Sequence, residues 1–293
     1  MMEEKQVLVR KAQLSETELK DIAELAHLCE QHDGIEMRLN WEMLRERSGK
    51  VTNDFLYYEH GTPIGFLALY SFHSQEAEMS GMVHPDFRRQ GIFRLLYMVA
   101  AEECKKRNIP KLTMFCDHTS RSGKAFAEAM GAHYRSSEYK MELGKVKKPH
   151  LSPLSQRLHI RRAQLENAPI IARITSRAFR MDDSELTTAL ERDLSGSHRH
   201  IYLAELDGEP VGVINVLVTG DEAFIYGFSV LPEHQGQGYG RSILSWTVDT
   251  LLAEKPRRIL LEVAPENDHA LALYRSCGFK ETRTFDYYEV AVT

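Results

Sequence analysis

At 293 residues the chain is about twice the roughly 150 residues of a typical domain, so its length predicts two domains. Hydrophobic residues make up 43% and charged residues 27%, an ordinary globular balance that excludes collagen, wholesale disorder and a bilayer-spanning run of about 18 apolar residues. The net charge of −5 exerts no pull toward phosphate backbones or anionic lipid, so neither nucleic acid nor membrane is an expected partner.

The first residues, MMEEKQ, are acidic where a secretory leader is basic and then apolar, which predicts a cytoplasmic protein. After VRKAQL from Val9, Ser15 with Glu18 three residues on forms a capping-box pattern. Leu19, Ile22, Ala23 and Ala26 then share one helical face. Strands are predicted at Phe55–Glu59, Ile64–Ser71 and Glu76–Val83, followed by the loop RRQGIFR, a long helix, a short strand, a shorter helix and a final strand. Residues 144–158, GKVKKPHLSPLSQRL, carry two prolines, clustered lysines and no apolar period, and read as a linker. Beyond it Ile170, Ile171, Ile174 and Ala178 mark a helix, and strands follow at Ile201–Glu205, Val211–Val218 and Ala223–Leu231. The loop QGQGYGR then leads into a helix whose Ile243, Leu244, Thr247, Val248, Leu251 and Leu252 form a single stripe. Cys29, Cys104, Cys116 and Cys277 show no C-x-x-C pairing, and His198 and His200 have no third ligand in view, so no metal is expected.

The two halves repeat. Gly61, Pro63 and Gly65 lie 147 positions before Gly208, Pro210 and Gly212, and the offset persists through Val83 and Val230, Gly91 and Gly238, and Gly131 and Gly278. VRKAQL at Val9 pairs with IRRAQL at Ile160. The boundaries that follow are a first domain at 1–143, a linker at 144–158 and a second domain at 159–293.

Gln235 to Arg241 is the sharpest local signal, because it lies between a strand and a long helix. Glycines admit a ligand close to the backbone, and the first amides of a helix are unpaired donors at the positive end of its dipole, so this arrangement suits an anion. Gly240 is followed by Arg241 and Ser242, not by the Lys of a Walker loop, and glycines at 236, 238 and 240 miss the Rossmann spacing. A tight turn without a ligand is the other reading of those glycines.

The ordered blocks V-x-P at Val230, Q-x-x-G-x-G at Gln235, LEVAPEN and ALALYRSCGF resemble the GNAT superfamily of N-acetyltransferases over the whole half from Ile160. Within it, LEVAPEN, ALALYRSCGF and the late DYY are similar to the ribosomal-protein alanine N-acetyltransferases. The resemblance implies two α/β domains with mostly antiparallel sheets flanked by helices, and acetyl-CoA as cosubstrate. It further implies that Phe228, Ser229 and Val230 pair with pantetheine, and that amides of Gly236, Gln237, Gly238, Tyr239, Gly240 and Arg241 hold the pyrophosphate. Asn267 would contact the cofactor arm, Tyr274 would be the general acid and Glu262 the general base. The alternatives are a core aromatic for Tyr274 and a salt-bridged surface carboxylate for Glu262.

At the same offset the first half has Phe115 for Glu262, Ser120 for Asn267, Ala127 for Tyr274 and Phe93 for Gly240. Arg88, Arg89 and Arg94 could hold an anion or form a solvated edge. The first domain therefore reads as a degenerate copy. The second is expected to transfer acetyl to a primary amine, on a small molecule, a protein amino terminus or a lysine. The competing reading is a non-catalytic acyl-CoA sensor or interaction protein. Oligomeric state leaves no sequence signal.

Overall fold

Ser15 fulfils its capping pattern: its hydroxyl accepts the Glu18 amide at 3.3 Å while the Glu18 carboxylate accepts the Ser15 amide at 2.8 Å. The helix so begun, α1 (Glu16–Asp33), ends at Gly34 in the left-handed conformation. A computed structural model describes residues 6–73, 75–144, 157–179, 190, 194 and 198–292. Most of the expected linker, 145–156, lies outside the described residues. Among the described residues no helix is long and apolar enough to cross a membrane.

The chain forms two compact units, Met1–Ser137 with Thr284–Thr293, and Glu138–Arg283. Unit 1 begins with β1 (Gln6–Lys11), α1 and α2 (Trp41–Arg45). It continues through β2 (Asp54–Glu59), β3 (Thr62–His73), β4 (Glu76–Val83), α3 (Ile92–Lys106), β5 (Lys111–Asp117), α4 (Arg121–Ala129) and the start of β6 (His133–Leu143). Unit 2 takes the rest of β6 and then β7 (Leu158–Arg162), α5 (Ala168–Phe179), β8 (Arg199–Leu206), β9 (Glu209–Thr219) and β10 (Glu222–Val230). It closes with α6 (Tyr239–Glu254), β11 (Arg258–Val263), α7 (Asp268–Ser276) and the start of β12 (Phe279–Ala291).

In unit 1 the strand order is β1-β2-β3-β4-β5-β12, and in unit 2 it is β6-β11-β10-β9-β8-β7. Within each, neighbours are antiparallel except one parallel pair, β4 with β5 and β10 with β11. The two halves are mixed α/β with mostly antiparallel sheets, as the resemblance implies. Where the chain-order boundaries kept β12 whole in the second half, its last residues pair with β5 in unit 1, and 138–143 belong to unit 2. Apolar alternation marks a strand but does not name its partner, and β6 and β12, at 11 and 13 residues, are long enough to serve both units.

Each sheet buries both faces. In unit 2, α6 and α7 cover one face through Ile243, Leu244, Leu251 and Leu271, while Ile171 and Ile174 of α5 cover the other against Ile201 and Val213. Gly212 makes the α6 packing possible: a Cβ there would lie 2.9 Å from Ile243 Cδ1 and 3.0 Å from the Ser229 carbonyl. Gly212→Val should overpack this contact and cost unit 2 about 1–3 kcal/mol, read as a lower urea midpoint without loss of cooperativity.

Candidate active site

The parallel pairing of β10 with β11 runs from Glu222 opposite Arg258 to Ile225 opposite Leu261, and there it stops. Immediately beyond, β10 bulges against β9: Tyr226 faces Asn215 and Ser229 faces Val213, so one residue too many lies between them. Gly227 occupies the bulge at φ +55°, and a Cβ there would strike the Asn215 side chain at 2.5 Å. Only glycine suits that position. A bulge leaves ladder groups of its strand unpaired, and here it falls where two parallel strands part.

At the end of β10 a short 3₁₀ turn, Pro232–His234, leads into the glycine loop. Gln235 Nε2 donates to the Val230 carbonyl at 2.8 Å and Gln237 Nε2 to the Glu233 carbonyl at 2.9 Å, which pins the loop from both ends. Gly236 and Gly238 have φ of +72° and +89°, are exposed, and start a 16-residue helix whose N-cap makes no side-chain hydrogen bond. Its first amides are thus left for solvent or a ligand, with no side chain above them. Gly240 packs closely on α7 and β10, a Cβ there lying 3.4 Å from Leu273 and 3.8 Å from Phe228. The Tyr239 side chain is buried in the core, its ring edge-on to His234 with centroids 6.0 Å apart. Arg241 is exposed.

Tyr274, 8% exposed, lies on α7 within the α6–α7 core, its ring edge against Phe279 at 6.2 Å. Burial pushes its phenol up to about 12, so it stays protonated across the physiological range. Glu262 is half-buried on β11 in register with Lys140. Because Leu261 and Val263 belong to the α6–α7 core, alternation turns Glu262 to the opposite, α5-side face. Tyr274 and Glu262 therefore flank β11 from its two sides. Asn267 has a structural task that the sequence did not reveal: it is the N-cap of α7, its Oδ1 accepting the Ala270 amide at 3.1 Å.

Unit 1 repeats the framework with altered contents. Arg88 Nε donates to the Val83 carbonyl at 3.0 Å, as Gln235 does to Val230, and Arg88 also pairs with Asp33 at 2.8 Å. Gly91 at φ +83° starts α3, and Ser120 caps α4 where Asn267 caps α7. Phe93 stacks edge-on against Phe126 at 4.6 Å. A cleft of 520 Å³ opens here, lined among others by Gly81, Arg94, Phe115, Cys116 and Ala127. That cleft has no local signature in the sequence, because Gly81 and Ala127 look like ordinary packing positions of a strand and a helix. Among the described residues no cluster of three His, Cys, Asp or Glu side chains is placed to hold a metal.

The model of the acetyltransferase (GNAT) family matches the chain twice, over residues 17–132 and 168–279. The chain belongs to the GNAT family. It is a tandem member, and the family assigns it as an N-acetyltransferase using acetyl-CoA. N-alpha-acetyltransferase RimI of Mycobacterium tuberculosis is 34% identical over 113 residues, 37% of this chain and 70% of that one. The ribosomal protein bS18-alanine N-acetyltransferase of Escherichia coli K12 is 41% identical over 61 residues, 21% of this chain and 41% of that enzyme. A solved tandem GNAT protein from the clavulanic acid biosynthesis pathway superposes with a TM-score of 0.76 at 19% identity, covering 98% of this chain and 99% of that one. That last likeness is one of fold.

Proposed function

We propose that unit 2 transfers an acetyl group from acetyl-CoA to a primary amine by direct attack. The observation that carries this reading is the bulge at Gly227, set where β10 and β11 part and one turn before an uncovered, glycine-lined helix start. Unit 1, whose β3–β4 ladder runs unbroken from Gly65 opposite Val83 to Tyr70 opposite Glu78, lacks that bulge.

The residues fit the cosubstrate. Exposed amides at the start of α6, beneath two glycines in left-handed conformation, suit a pyrophosphate, and Arg241 adds a positive charge. The β10–β11 pairing ends at Ile225, so backbone groups from Phe228 to the Val230 amide suit the amides of a pantetheine arm, while the Val230 carbonyl is held by Gln235. Acetyl-CoA supplies an activated thioester. An amide freed by the bulge donates to the thioester oxygen as negative charge develops there. Glu262 receives the proton of the attacking amine from the α5-side face, and Tyr274 protonates the departing sulfur from the other. The new bond is nitrogen to carbonyl carbon and the bond lost is carbon to sulfur. The acceptor is an amine on a small molecule, a protein amino terminus or a lysine; an alanine amino terminus is the case the bS18-modifying relative suggests.

Calorimetry with CoA tests the site. One equivalent should bind per chain, and Gly238→Glu, which sets a carboxylate over the helix start, should weaken binding at least about a hundredfold. A second reading has its own observation in the 520 Å³ cleft of unit 1: that unit holds the cofactor without turning it over. Its signature is a second equivalent that survives Gly238→Glu.

A further inference from the structure

On the α5-side face of unit 2, Asn215 and Ser229 are 8% and 5% exposed, and among the described residues Asn215 Oδ1 and Ser229 Oγ have no hydrogen-bond partner. On that face Ile201, Leu203, Val213 and Leu231 form one apolar cluster, and Tyr226, opposite Asn215, accepts from Arg199 at 3.2 Å. Buried polar atoms without partners destabilise a fold, so such a pair is retained at a cost.

Unit 1 shows that the architecture does not require them. Gly65 faces Val83 as Gly212 faces Val230, and counting along the strands from those pairs sets Ala68 where Asn215 stands and Met82 where Ser229 stands. Both are buried within a continuous apolar cluster. The fold thus has an apolar solution at both positions.

The two side chains are neighbours. Ser229 is directly opposite Val213, and Asn215 is two residues from Val213 on the same strand, so they are diagonal partners on one face, spanning Gly227. The Asn215 side chain lies against Gly227, in the space a Cβ would take. Diagonal partners stand about 7–8 Å apart at their Cα atoms, and one nitrogen bonded to two oxygens spans under about 6 Å, so a single donor group can bridge them. Glu262 turns toward this same face of the sheet.

We propose that Asn215 Oδ1 and Ser229 Oγ receive two N–H donors of the acceptor's primary amine and hold its nitrogen beside the bulge. This rests on the transfer reading above. A primary ammonium has three donors; the two oxygens accept two, the third proton leaves to free the attacking lone pair, and one of the two held protons leaves after attack to give the amide. In the neutral, attacking form a primary amine still has two N–H donors for the pair, whereas a secondary amine or a hydroxyl has one, so the site selects primary amines. Both oxygens are sealed from solvent in the chain alone, so binding opens this face, and the bonds form in a setting that strengthens them.

The test uses the full chain saturated with CoA and titrated with an alanine-terminated peptide, a polyamine and an aminoglycoside, each also in N-methylated form. At least one primary amine should bind, and Asn215→Ala and Ser229→Ala should each weaken it about tenfold or more. N-methylation should weaken it similarly. CoA affinity should be unchanged in Asn215→Ala and the thermal midpoint equal or higher in both variants, because each removes an unsatisfied buried oxygen. Three results would overturn the inference: equal amine affinity in both variants, which assigns the oxygens to water; a lower midpoint with affinity intact; or no amine bound by the unaltered chain. The transfer reading fails separately, if amines bind through this pair while the unaltered chain releases no CoA from acetyl-CoA.

Discussion

Tyr274→Phe is expected to lower turnover by about 10²- to 10⁴-fold while leaving acetyl-CoA affinity unchanged. The ring contacts Phe279 and the α6–α7 core, and phenylalanine keeps them; what is lost is the proton donor. Because burial pushes the phenol up to about 12, the donor remains protonated throughout ordinary assays, and no alkaline limb below about pH 11 should trace to it. A proton acceptor behaves in the opposite sense. Glu262 must be ionised to take the amine proton, so activity that depends on it falls as pH falls, and Glu262→Gln should move that acidic limb. Steady-state kinetics between about pH 4 and pH 10 decide both roles. An unchanged rate for Tyr274→Phe removes the tyrosine from the reaction and leaves it as a core aromatic; an unmoved limb for Glu262→Gln puts the base elsewhere.

Much of this molecule is legible in its sequence for physical reasons. The capping box at Ser15, the stripe on α6 and the alternation of the central strands are local signals, and each gave its element within one or two residues. The glycine loop was equally readable, since left-handed backbone at a helix start leaves a glycine signature. What the sequence hid depends on partners far along the chain. The bulge at Gly227 is a difference of one residue between two strand registers, and a single glycine in a strand is compatible with several causes. The caps made by Asn267 and Ser120 were read only as a matched position and its loss, although both oxygens serve the same helix start in their two units. The orphaned oxygens of Asn215 and Ser229 are invisible without burial. The assignment of residues 284–293 to unit 1 is the largest such case, because strand patterns record which face is apolar and not which neighbour is paired.

Deleting residues 284–293 is expected to unfold unit 1. The segment pairs with β5 from Phe285 opposite Asp117 to Ala291 opposite Lys111, so its loss exposes the whole edge of β5. Phe285 is 1% exposed, and Phe285→Ala alone should cost about 3–5 kcal/mol through the cavity it leaves. Asp286 ties the strand down with a second kind of bond, accepting from Ser137 Oγ at 2.7 Å, His118 Nδ1 at 2.8 Å and Lys124 Nζ at 3.0 Å. Burial works to raise its carboxyl, but the hydrogen bonds from His118, Ser137 and Lys124 prevail and hold it below the usual aspartate value. A carboxyl lowered in the folded state contributes stability that is complete above the unfolded value and is lost as pH falls through the folded one. Urea midpoints of unit 1 should therefore drop with acid below about pH 4, and Asp286→Asn should flatten that part of the profile while lowering the plateau at neutral pH by about 1–3 kcal/mol. A shortened chain ending at Arg283 that keeps the full two-unit unfolding amplitude would show that the last strand is dispensable. An acid limb unaltered in Asp286→Asn would move the anchoring from this carboxylate to the apolar residues on either side of it.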